Sequence, residues 1–180
     1  MEIILHKPRN PLQWAEIQRL YRDAFPRKER KPFGVIRRMF REGKADIWCI
    51  RADGKFAGLA TTVNGDGLVL VDYFAVKPNK QGKGIGTAAM ECLLELYAGK
   101  GVFLEIESPD TPGLDQALRK KRKEFYLSCG FAELGVRARV FGVPMELLGI
   151  RCELDFEAYR KFYGFNLTPW AADHLEDMED

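Results

Sequence analysis

Seven consecutive residues, Gln81-Gly82-Lys83-Gly84-Ile85-Gly86-Thr87, carry glycine at every second position. Glycine lets backbone N–H groups approach a ligand closely, and so many glycines cost conformational entropy that a plain turn seldom needs to lose. The run before them, Leu68 to Val76, is apolar and β-branched like a buried strand, and Pro78 ends it. After them Ala89, Met90, Leu93, Leu94 and Tyr97 recur at helical spacing. Strand, glycine-rich turn and helix in that order aim a helix N-terminus and several N–H groups at one point, where an anion fits. Lys83 brings positive charge to the same place.

Two familiar phosphate-binding patterns do not match. A P-loop needs four residues between its first glycine and Gly-Lys-Ser/Thr, whereas Gly82 is followed at once by Lys83-Gly84. The dinucleotide fingerprint needs a third glycine where Thr87 stands. That missing glycine weakens the reading, but its acidic residue about 20 positions on has candidates in Glu105 and Glu107, so it is not removed.

Carboxylates supply the second kind of chemistry. Asp72 lies inside the apolar strand, and strand alternation puts it on the face of Phe74 and Val76, opposite Tyr73 and Ala75. A carboxylate there is costly unless it has a partner or a task. Glu105 and Glu107 pose the same question in Val102 to Glu107, sharing a face opposite Leu104 and Ile106. Each could accept a proton, and each could equally pair with Arg or Lys from a neighbouring helix. His6 and His174 lie near the chain ends, where surface positions are expected.

The chain has 180 residues, 46% apolar and 30% charged, with a formal net charge of +2. That size suits one compact domain over 1–180, and that balance offers no case for nucleic acid or a membrane surface. No apolar run approaches the roughly 20 residues of a membrane span, and Ile3-Ile4-Leu5 is too short for a signal peptide. Cys49, Cys92, Cys129 and Cys152 stand far apart, with no zinc spacing. Three of them lie in apolar surroundings and are expected as buried free thiols in a reducing cytoplasm. Charge is uneven: bases crowd Arg22 to Arg41, Arg119 to Lys123 is a basic run, and 173–180 is an acidic tail. The basic run reads as a solvated helix face or as a contact for phosphate or an acidic acceptor.

The remaining elements follow from pattern. A first strand is expected over 2–6. A helix from Pro11 uses Trp14, Ile17, Leu20, Tyr21 and Ala24, and ends before Pro26. A charged segment 27–32 leads to a helix over about 34–42. Strands 46–51 and 56–63 flank the hairpin pair Asp53-Gly54, and 68–76 completes an antiparallel meander. The crossover helix then leads to strand 102–107, and a strand–helix–strand unit normally makes a parallel pair. The result is an α/β (α+β) chain with a mixed, mostly antiparallel central sheet flanked by helices. A helix over about 114–128 is capped by Gly130. Strands 131–141 and 145–148 surround a Gly142-Val143-Pro144 turn, and Asp155 caps a helix over 156–163.

The segment Gln81-x-x-Gly84-x-Gly86, preceded by Phe74-Ala75-Val76-x-Pro78 and followed by Phe125-Tyr126-Leu127-Ser128-Cys129-Gly130-Phe131, resembles the signature of the GNAT N-acetyltransferase superfamily. The close resemblance covers 46–135. It implies the GNAT acyl-CoA N-acyltransferase fold, with acetyl-CoA as co-substrate and no metal. It implies that Gly82 to Thr87 hold the pyrophosphate and that Phe74, Ala75 and Val76 present their backbone to the pantetheine arm. Tyr126 matches the family tyrosine near the sulfur that can protonate the leaving thiolate; otherwise it packs helix on sheet. Asp72, Glu105, Glu107 or water alone would take the amine's proton. The acceptor would be a small-molecule or protein amine, and a cationic one suits three carboxylates. In that architecture the first helices flank the acceptor site, so 27–32 is a substrate-facing loop or a solvated one. Family members are often homodimers. The rival readings are a non-catalytic acyl-CoA-binding module and, less well matched, a nucleotide-dependent oxidoreductase.

Overall fold

The structure is a computed structural model that describes residues 1–178, Lys28 by its backbone only. The strands are β1 (Ile3–His6), β2 (Ala45–Ala52), β3 (Lys55–Asn64), β4 (Leu68–Val76), β5 (Gly101–Glu107), β6 (Ala132–Val140), β7 (Val143–Ile150) and β8 (Leu175–Asp177). The helices are α1 (Pro11–Ala24), α2 (Phe33–Arg41), α3 (Ile85–Leu96), α4 (Gln116–Ser128), α5 (Phe156–Asn166) and α6 (Pro169–Ala172). Strand order among the described residues is β1-β2-β3-β4-β5-β7-β6-β8. The sheet is mostly antiparallel, with β1–β2, β2–β3, β5–β7, β6–β7 and β6–β8 all paired in that sense. The chain groups into two compact units: Met1–Asn64 with Val71–Ala98, and Gly65–Leu70 with the residues from Gly99 on.

In the first unit helices cover both faces of the sheet. Asn10 caps α1 by accepting the Gln13 N–H, and Pro11 opens the helix. Its apolar stripe, Ile17, Leu20 and Tyr21, joins Ile36 of α2 and packs on Ile47, Cys49, Leu59, Tyr73 and Ala75. On the other face Ile85 of α3 meets Ala52, Ala57 and Val76. The far end of α3 is tied down by Tyr97, whose hydroxyl donates to Asp46 Oδ2 at 2.9 Å and shares a hydrogen bond with Thr62. The hairpin between β2 and β3 has φ of 49° at Asp53 and 72° at Gly54, as a two-residue primed turn requires.

In the second unit Phe103 of β5 packs edge-on against Tyr159 and Phe162 of α5. Asp155 caps α5 by accepting the Ala158 N–H, as its position predicts, but α5 runs on to Asn166.

Several expectations need correction. The turn before β7 is Phe141-Gly142, with φ of 47° and 83°, and β7 starts at Val143. A two-residue turn with φ above zero at both positions leaves Pro144 inside the strand, near its start, where a missing N–H is tolerated. In the acidic tail Leu175–Asp177 adds β8 to β6, a strand the pattern did not show, while Glu179 and Asp180 lie outside the described residues. Of the cysteines only Cys49 is fully buried; Cys92, Cys129 and Cys152 are half-buried, and none of the four is in a disulfide among the described residues.

The basic run divides by helical period. Lys120, Lys121 and Arg122 are exposed, but Arg119 is buried and Lys123 half-buried. Lys123 donates to the buried Glu146 Oε2 at 2.7 Å, and Ser108 Oγ donates to Glu146 Oε1 at 2.7 Å. Burial alone would raise the Glu146 carboxyl, but these hydrogen bonds outweigh it and hold it below its ordinary value. A carboxyl lowered in the folded state stabilises the fold above its ordinary value of about 4.3, and that contribution disappears as pH falls through the folded value. Glu146→Ala should therefore cost about 2 kcal/mol at pH 7, because Ser108 Oγ loses its acceptor and Lys123 keeps only the exposed Glu133 carboxylate at 3.0 Å. The loss should shrink in acid, as read from urea melts at pH 7 and pH 3.

Candidate active site

The glycine turn is built by the residues around it. The strand β4 ends at Val76, and a short 3-10 turn over Pro78–Lys80 reverses the chain. Gln81 holds the corner, its side-chain Nε2 donating to Val76 O at 2.9 Å. Gly82 and Gly84 have φ of 71° and 76°, in the left-handed region that glycine enters without strain. Gly84 is the N-cap of α3, makes no side-chain cap bond, and no acidic residue stands in the first turn. The first intrahelical bond runs from Ala88 N–H to Gly84 O, so the N–H groups of Ile85, Gly86 and Thr87 have no helical acceptor. A Cβ at Gly82 would meet nothing within 4 Å, and the space above Gly84 holds only Met1 Cε at 3.9 Å. Lys83 bonds Asn79 O at 3.2 Å on the same exposed corner. An open nest of N–H groups on a positive helix end, with a lysine beside it, fits a pyrophosphate.

Upstream, β4 is drawn close to β3. A Cβ at Gly58 would stand 2.5 Å from Ala75 O, so only glycine lets the two strands approach there. Phe74, Ala75 and Val76 continue directly into the turn, with Ala75 and Val76 buried and Phe74 half-buried.

Asp72 is nine-tenths buried, and Lys31 Nζ lies 2.6 Å from its Oδ1. The same ammonium stands over the Tyr73 ring at 5.3 Å. Lys31 is held by its backbone too: Tyr21 Oη donates to Lys31 O at 2.9 Å, Lys31 N–H donates to Tyr73 Oη at 3.0 Å, and Tyr73 Oη donates to Glu29 O at 3.0 Å. Burial, with the Tyr73 hydrogen bond, raises the Tyr21 hydroxyl far above its ordinary value, so it stays a donor. The charged segment before α2 is therefore not a plain solvated loop.

Glu105 and Tyr126 belong to the second unit. Glu105 Oε1 accepts from Tyr159 Oη and Tyr163 Oη, both at 2.6 Å. Glu107 instead meets Arg119 Nη1 at 3.4 Å. Tyr126 is buried, with its ring against Phe125 and Phe131 at 5.1 and 5.9 Å. Burial pushes its hydroxyl up to about 12, so it holds its proton throughout the neutral range. Lys31, Tyr159 and Tyr163 escape a reading of the sequence. The one visible signal was the four-residue spacing of the two tyrosines, which puts them on one helix face.

The description "Acetyltransferase (GNAT) family" belongs to a family model that matches residues 14–131, from α1 to the residue after α4 and its cap. The chain belongs to the GNAT acetyltransferase family. It is thereby an acyltransferase, and its sheet and helices match those of solved GNAT structures. No curated protein matches its sequence. A protein of Bacteroides thetaiotaomicron assigned to the GNAT family is 22% identical, with a TM-score of 0.73 over 92% of this chain and 97% of that one. An aminoglycoside 6'-N-acetyltransferase complexed with coenzyme A is 15% identical, with a TM-score of 0.67 over 86% and 100%. An acetyltransferase of Bacillus subtilis in complex with CoA is 17% identical, with a TM-score of 0.60 over 85% and 98%. Among the described residues no helix is long and apolar enough to cross a membrane, and no cluster of metal-ligating side chains occurs.

Proposed function

We propose that this GNAT protein transfers the acetyl group of acetyl-CoA to a primary amine by direct attack on the thioester. The observation that carries the reading is the open, uncapped turn from Gly82 to Thr87, with its unshared N–H groups and left-handed Gly84. Two of the similar structures hold coenzyme A, which supports the same co-substrate here. Acetyl-CoA supplies the activated acyl carbon and a thiolate leaving group.

The side chains divide the remaining work. Gln81 to Thr87 take the pyrophosphate, and Lys83 adds charge to it. The backbone of Phe74, Ala75 and Val76 lies along the pantetheine, and an N–H near Ala75 polarises the thioester carbonyl. Asp72 accepts a proton from the acceptor's ammonium, directly or through water. The free amine forms the new C–N bond, the C–S bond breaks, and the surplus proton on nitrogen passes to solvent, from which Tyr126 regains the proton it gives to sulfur. Tyr126, which burial keeps protonated, gives its proton to the departing sulfur. Glu105, fixed by two tyrosine hydroxyls, is a second carboxyl group suited to a cationic acceptor. Four cysteines without a disulfide among the described residues agree with a reducing compartment.

Calorimetric titration of the protein with acetyl-CoA tests the reading. Saturable one-to-one binding is expected. A folded protein that gives no heat and no thermal shift with acetyl-CoA would overturn it.

A further inference from the structure

A partly buried cation-binding arrangement in the first unit is already filled by the protein itself. The Lys31 ammonium touches the Asp72 carboxylate at 2.6 Å and stands 5.3 Å from the Tyr73 ring centre. A carboxylate and an aromatic face together are what recognises an alkylammonium ion. The Tyr73 ring is itself braced by Tyr21 and Phe25, at 4.8 and 4.9 Å. The Lys31 side chain is only 25% exposed and that of Asp72 only 10%, so this is not a loose surface pair. Lys31 closes a short segment bounded by Pro26 and Pro32, whose 3-10 turn over Arg27–Glu29 lies between α1 and α2. Three hydrogen bonds to two tyrosine hydroxyls hold that segment, with a fourth from the exposed Arg30 Nη1 to Arg22 O of α1 at 3.2 Å, and none is a ladder bond of helix or sheet. Such a tether can open locally without unfolding an element.

We propose that Lys31 is an internal stand-in for the acceptor. Its ammonium occupies the place on Asp72 and Tyr73 that a primary alkylammonium acceptor takes, and the segment 27–31 must swing away before that acceptor binds. This rests on the assignment of Asp72 to the acceptor's amine. The consequence is selection by charge. A neutral amine gains nothing from Asp72 while Lys31 stays, whereas a cationic amine replaces Lys31 ion for ion. Lys31 is then a specificity-determining residue, and affinity for the acceptor carries the cost of opening the segment.

The test is titration with propylamine and 1,3-diaminopropane at pH 7, with propanol as the neutral control. Wild type, Lys31→Met, Lys31→Arg and the double variant Lys31→Met/Asp72→Asn are compared, and each is also titrated with acetyl-CoA. Lys31→Met should bind the amines at least tenfold more tightly than wild type, Lys31→Arg should bind like wild type, and the double variant should lose the gain. Acetyl-CoA affinity should be unchanged throughout. Equal amine affinity in wild type and Lys31→Met, with acetyl-CoA binding intact, would overturn the proposal while leaving the transferase reading standing. Loss of acetyl-CoA binding in wild type would strike the transferase reading instead. Hydrogen exchange of wild type gives a check that needs no variant. The Lys31 amide, held by Tyr73, should exchange faster at saturating diaminopropane, and an unchanged rate would also overturn the proposal.

Discussion

Gly84→Asp should raise the dissociation constant for acetyl-CoA at least a hundredfold and leave the protein folded. Aspartate is one of the few residues that tolerates the left-handed conformation, so the φ of 76° at Gly84 is not prohibitive. A Cβ there meets nothing closer than Met1 Cε at 3.9 Å, so the side chain has room. Its charge, however, would stand where the pyrophosphate must lie. Two like charges about 4 Å apart repel by roughly 4 kcal/mol at an effective dielectric of about 20, and a hundredfold loss needs only about 2.8 kcal/mol. The carboxylate would also accept from the N–H groups of the first turn of α3, competing with the ligand for the same donors. Calorimetry of the variant beside wild type, with circular dichroism as the folding control, measures this. Undiminished affinity in the variant would place the pyrophosphate elsewhere.

Tyr126→Phe should lower kcat about a hundredfold, the usual scale for removing a general acid, and leave KM for acetyl-CoA within about twofold. The packing partners Phe125 and Phe131 touch the ring, and phenylalanine keeps that ring. Thermal stability should accordingly change little. The pH dependence gives a second readout. With the hydroxyl raised to about 12, wild-type activity should show no decline attributable to Tyr126 below pH 10. A variant with unchanged kcat would reduce Tyr126 to an aromatic that packs α4 on the sheet.

Local order was well encoded. Asn10-Pro11 started α1, the Asp53-Gly54 pair made its turn, and β4, the glycine run and α3 followed one another as the apolar and glycine pattern requires. These features depend on residues close in sequence. What the sequence hid is long-range. Asp72 finds Lys31 41 positions away, and Glu105 finds Tyr159 and Tyr163 54 and 58 positions away. No local pattern encodes such pairs, so a buried carboxylate could be read only as needing some partner. The basic run misled for a different reason. Five adjacent charges mask the helical period, yet Arg119, Lys123 and Tyr126 lie three or four residues apart and face inward together. The edge strand β8 was missed because Leu175–Asp177 is too short to show alternation and two of its three residues are acidic.

In catalysis acetyl should leave CoA for an amine. The direct measurement is release of free CoA thiol from acetyl-CoA by the wild-type protein, with and without a panel of primary amines, alongside mass spectrometry of the amine. The account predicts release that depends on the amine, matched mole for mole by an acetylated amine 42 mass units heavier on the scale set by replacing H with COCH3, about a hundredfold slower in Tyr126→Phe. Tight acetyl-CoA binding with no amine-dependent thiol release across small and peptide amines would contradict it and make the protein an acyl-CoA-binding module.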